Sequence, residues 1–114
     1  QIRQEVSIAY CVNSFGQNCG LPKLLAASGF RRYVWMRPDR TAKKMPHQFR
    51  WKGDDVTAEV IAFRVLGEYT TANCRNREQL FARIEHLLEN GDEHQSFFFG
   101  IGDHGKGIYE EQLR

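Results

Sequence analysis

Along "EVSIAYCVN" (residues 5–13) apolar and polar positions partly alternate, with β-branched residues among them, as in a short strand buried mainly on one face. Beyond Gly16 and Gly20 the period changes. Pro22 suits a first helical turn, Leu21, Leu24, Leu25 and Ser28 share a face, and Gly29 closes the helix. "RRYVWMR" (31–37) reads as a second strand, and residues 38–47, polar and basic with two prolines, read as a loop. "HQFRWKGDDVTAEVIAFRV" (47–65) has the pattern of a hairpin: Phe49 and Trp51 alternate with polar residues, Gly53-Asp54-Asp55 supplies the turn, and Glu59 to Val65 returns. "NREQLFARIEHLLENG" (76–91) is the clearest helix, with Asn76 as N-cap, Leu80, Phe81, Ile84, Leu87 and Leu88 on one face and Gly91 as terminator. "SFFFGIGD" (96–103) reads as a further strand.

This order, β-α-β, a hairpin pair, α, β, predicts an α/β fold with a mostly parallel sheet, flanking helices and one β-hairpin. With 114 residues, 41% of them hydrophobic, the expectation is a single domain over residues 1–114 around one core. Chemistry in such sheets gathers where strands end at their carboxyl side, which singles out Asn13, Arg37 and Asp103. Asn13 has two readings: an ordinary strand-ending amide that bonds nearby backbone, or a catalytic carboxylate that has been changed.

Charge alters this picture little. The formal net charge is +2, but eight of the 16 basic residues fall between Phe30 and Lys52, against Asp39 alone. Tyr33, Trp35, Phe49 and Trp51, interleaved with those charges, keep strand alternation. They are expected in the core or in a cleft, with the charges solvated and no nucleic-acid partner. Three cysteines with no C-x-x-C pair fit neither a disulfide framework nor a zinc knuckle, and point to a reducing, cytoplasmic setting. No apolar run approaches the ~20 residues that span a bilayer, so no membrane partner is expected. The chain opens on Gln1 with no targeting pattern, as expected of a sequence that begins inside a larger protein.

Gly100, Gly102 and Gly105 in "GIGDHG" carry the spacing of a dinucleotide fingerprint, but Arg114 ends the sequence before the acidic residue that fingerprint wants ~20 positions onward. His86 and His94 read as surface residues. His104 beside Asp103, flanked by glycines, fits a pocket wall or a plain turn equally well.

"VNSFGQNCGLPKLL" with "SGFRRYVWMRP" resembles the α-mannosidases of glycoside hydrolase family 38, especially the bacterial and cytosolic-type members. In that family a strand ends in Asp-Ser/Pro-Phe-Gly, a leucine-rich helix follows, and a second strand ends in arginine. "QFRWKGDDVTAEVIAFRVLGEY" is similar to the family's aromatic hairpin and "FFFGIGDHGKG" to its glycine-rich strand end, so the likeness covers most of the chain in order. The resemblance implies a fragment of a (β/α) barrel from a retaining exo-α-mannosidase that acts on mannose-containing carbohydrate. It implies Asn13 at the nucleophile position, also a zinc-ligand position in the family; Phe15, Arg37 and Tyr69 at the sugar; and Asp103, with His104, near the acid. An amide cannot form the glycosyl ester and is a poor zinc ligand. The His-x-Asp and distal His that complete the family's zinc site have no counterpart in these residues. Alone, the fragment is therefore expected to be inactive and metal-free, with zinc belonging to the complete parent enzyme. Asn13 fits a natural loss of the nucleophile or an engineered Asp→Asn change. A non-catalytic carbohydrate-binding module is the alternative, a nucleotide-binding module a more distant one, and open sheet edges are expected to permit homo-oligomers.

Overall fold

The computed structural model describes residues 5–38, 44–54, 57–66, 69–90, 96–100, 108 and 110–112. The chain divides into two compact units, Gln1–Val65 and Leu66–Arg114. The first holds β1 (Ile8–Cys11), α1 (Leu21–Ala27), β2 (Arg32–Trp35), β3 (Gln48–Lys52) and β4 (Glu59–Arg64); the second holds α2 (Arg77–Asn90) and a 3-10 turn at Glu110–Gln112. The class is α/β, with a mixed sheet.

In the first unit the strands lie in the order β1-β2-β4-β3. β1, β2 and β4 are parallel, and β3 pairs antiparallel with β4 as the outer arm of the hairpin. The crossover from β2 to β4 thus passes through the 36–47 segment and β3, with no helix among the described residues. Side-chain alternation sends Tyr33, Trp35, Val60 and Ala62 to one face, where they meet Leu25 of α1 in a single buried cluster. Tyr33 and Trp51 lie with ring centroids 5.9 Å apart, and Trp35 meets Phe49 edge-on at 6.3 Å.

The seven-residue α1 is anchored at both ends. At its start Asn18 accepts from Gly20 N through Oδ1 at 2.7 Å, and the buried Pro22 occupies the first turn. At its end Phe30 N donates to Leu25 O (2.9 Å) and Gly29 N to Ala26 O (3.0 Å), a Schellman closure that needs Gly29 at φ +86°. The face against the sheet runs through Leu21, Pro22 and Leu25. Leu24, expected on that face, is exposed, because it lies a quarter-turn away. Gly53 in the hairpin turn approaches the start of α1 so closely that a Cβ there would meet Cys19 O at 3.2 Å.

The opposite face of the sheet carries Ile8, Tyr10 and Ile61, all exposed. The strand expected over 5–13 is shorter, Ile8–Cys11, and Val12 turns into the buried core just beyond it.

In the second unit, Asn76 caps α2 as expected: its Oδ1 accepts from Gln79 N (3.0 Å), while Gln79 Oε1 reaches back to Arg75 N (2.8 Å). Of the anticipated apolar face only Leu80 is buried, and Phe81 and Leu88 are exposed. Residues 96–100 hold no strand, contrary to the expectation for "SFFFGIGD"; residues 101–103 lie outside the described residues. Consecutive phenylalanines lack the alternation a half-buried strand needs. The segment is held instead by Gly100, which accepts from Thr71 N (2.7 Å) and donates to Thr71 Oγ1 (2.9 Å). The three cysteines are free thiols, and among the described residues no helix is long and apolar enough to cross a membrane.

Candidate functional site

The register of β1 on β2 pairs Cys11 with Trp35, an offset of 35 − 11 = 24. Asn13 and Arg37 are separated by the same 37 − 13 = 24 positions. Each therefore leaves the sheet two residues past its strand, on the same carboxyl rim. Asn13 is exposed there, in the turn that follows Val12. Arg37 is half-buried, with its guanidinium carbon 5.5 Å from the centroid of the Phe15 ring. Phe15 itself is 74% exposed. The stacking costs the arginine little hydrogen-bonding capacity, since it uses the face of the guanidinium and leaves its edge donors directed outward in the plane. Among the described residues Arg37 Nε is buried with no hydrogen-bond partner.

Behind this rim, on the α1 side of the sheet, lies a cavity of about 440 Å³. Phe15, Trp35, Met45, Phe49 and Trp51 form its apolar walls, and Pro38, next to Arg37, lies at its edge. The four aromatic positions that alternation assigned to core or cleft divide accordingly: Tyr33 is core, whereas Trp35, Phe49 and Trp51 both pack and wall the cavity. Gln17 and Cys19 also line it, though pattern reading did not single them out. The signal was present in "SFGQNC", which places both in the loop that joins the rim to α1. Tyr33 Oη donates to Gln17 Oε1 at 2.8 Å, while Gln17 Nε2 donates to Ser14 O at 3.1 Å. Gln17 thereby ties the Asn13 turn to the core. Burial, with Cys11 alongside, pushes the Tyr33 phenol up from 10.0 to about 12, and the bond to Gln17 pulls weakly the other way.

Arg64 at the end of β4 escaped sequence reading. Only 2% exposed, it stacks 5.1 Å over the Trp35 ring, and its Nη2 donates to the Pro38 carbonyl. Its periodicity is that of a core position, but its residue type suggests solvent.

Tyr69 is half-buried in the second unit. Asp103 and His104 lie outside the described residues. His86 is exposed on α2, as expected, and His94 lies outside the described residues. As to a metal, Asn13 offers only a neutral amide oxygen. Among the described residues no three His, Cys, Asp or Glu side chains gather into a metal-binding group. This donor set does not fit zinc.

The chain matches the family model for the Glycosyl hydrolases family 38 N-terminal domain over residues 1–114. No curated protein and no solved structure matches it significantly.

Proposed function

The chain belongs to glycoside hydrolase family 38, in its N-terminal domain, and from that premise we propose that it is part of a retaining exo-α-mannosidase whose nucleophile position is held by Asn13. The observation that carries this reading is the common rim of Asn13 and Arg37, with Arg37 braced on Phe15. A retaining glycosidase needs a carboxylate beneath the anomeric carbon and a second carboxyl group ~5 Å from it. An aspartate at position 13 would share its rim with a cation held in place by stacking, and an approach of the two would favour the ionised form. The amide accepts and donates hydrogen bonds and so can hold a sugar hydroxyl, but it cannot form the glycosyl ester. Phe15 offers an exposed aromatic face for the sugar's C–H surface, and the family resemblance alone assigns Tyr69 to the sugar. Asp103, with His104 beside it, is the candidate acid.

Zinc, on this reading, belongs to the complete enzyme, where it would clamp sugar hydroxyls; no step is routed through it here. The sheet is read as an arc of a (β/α) barrel, and its exposed Ile8 and Ile61 support that assignment, since a barrel buries both faces of its strands.

The test is Asn13→Asp in the complete protein, assayed on p-nitrophenyl α-mannoside with and without zinc. The expected result is a gain in turnover of about 10³-fold or more. No gain, together with saturable mannoside binding by the Asn13 form, would favour the carbohydrate-binding module instead.

A further inference from the structure

The cavity behind the rim is walled mainly by aromatic and aliphatic side chains among the described residues. A hexose brings hydroxyls on every side, and each one buried without a partner opposes binding. Among the described residues, the two polar side chains that line the cavity, Gln17 and Cys19, each already have protein partners. Gln17 uses its oxygen for Tyr33 and its nitrogen for Ser14, and Cys19 donates to Asp54 Oδ2 at 3.5 Å. The Trp35 indole N–H is buried and without a partner among the described residues. Among the described residues the walls are mainly aromatic and aliphatic, and the volume is within the range of small-molecule sites.

The cavity is also continuous with the rim. Phe15, two residues past Asn13, is both the platform beneath Arg37 and a cavity wall, and Pro38, one residue past Arg37, lines it as well. We propose that this cavity receives an apolar cyclic aglycone, the non-sugar part of a glycoside whose sugar lies at the Asn13–Arg37 rim. The assignment of the ring to a glycoside rests on the glycosidase reading; the apolar character of the cavity does not.

The only two tryptophans in the sequence, Trp35 and Trp51, are both cavity walls, so a ring that enters the cavity contacts their side chains and perturbs their indole N–H resonances. The protein is labelled with ¹⁵N, the two resonances are assigned by Trp→Phe replacement, and anisole, phenyl α-mannoside and methyl α-mannoside are titrated separately. Anisole and phenyl α-mannoside are expected to shift the indole signals saturably, with phenyl α-mannoside binding more tightly, while methyl α-mannoside leaves them in place. Phe49→Ala should weaken phenyl α-mannoside about tenfold; Met45→Ala, outside the sheet, carries the same test should Phe49→Ala fail to fold.

No saturable shift with either aryl probe overturns the proposal. Equal shifts with methyl α-mannoside overturn it too, because the cavity would then take the sugar. If phenyl α-mannoside binds no better than anisole, the cavity takes free apolar rings and the aglycone assignment falls. Anisole binding does not depend on the nucleophile assignment, so a failed Asn13→Asp rescue leaves that arm of the test standing.

Discussion

Tyr33 shows how one side chain serves both fold and site. Its ring packs in the core, and its hydroxyl holds Gln17, which holds the turn that presents Asn13. Because the folded state binds the phenolic proton more tightly than the unfolded chain does, the associated stabilisation is complete below about pH 10. It is lost as pH rises from there through about 12. The loss should reach on the order of 2–3 kcal/mol. Urea midpoints measured at intervals across that range should fall in the native protein and change less in Tyr33→Phe; parallel curves would remove Tyr33 as the cause. Arg64 poses the opposite case, a cation whose value lies in its burial. Arg64→Ala would unstack Trp35 and leave the Pro38 carbonyl without its donor, at a cost of about 2–3 kcal/mol in chemical denaturation.

Elements were legible wherever a period was backed by a terminator. α1 has Pro22 at its start and Gly29 at its end, and α2 has Asn76 with Gln79 three residues on; both helices appear where those signals put them. Asn76→Ala should lower stability by about 1 kcal/mol, and a midpoint unchanged within error would show that Gln79 suffices alone. The hairpin was legible for the same reason, since Phe49 and Trp51 alternate up to Gly53. Where a run is apolar without alternation, as in "SFFFG", pattern reading has no period to use, and the outcome is set by long-range bonds between Thr71 and Gly100. Thr71→Val keeps the shape of this fully buried side chain but deprives Gly100 N of its acceptor. A loss of about 1–3 kcal/mol is expected. The cavity was half legible: its aromatic walls follow from alternation, but the bond that ties Gln17 to Tyr33 spans 16 positions, which no local pattern records.

At the scale of the whole molecule, the exposed apolar face of the sheet is the feature most dependent on what surrounds it. Ile61→Lys in the 114-residue chain alone should shift stability by no more than about 0.5 kcal/mol and reduce concentration-dependent association in sedimentation. In a closed barrel the same change would bury a lysine and cost several kcal/mol. An equal, small effect in both settings would count against the barrel. The uneven distribution of chromophores has a consequence of its own. Tryptophan emission can arise only from Gln1–Val65, since Leu66–Arg114 contains no tryptophan, whereas the longer α-helix among the described residues, and with it the larger part of their helical ellipticity, belongs to the latter. Fluorescence and circular dichroism followed through one thermal scan are thus two separate thermometers, and the gap between their midpoints measures how far the halves of this chain melt independently.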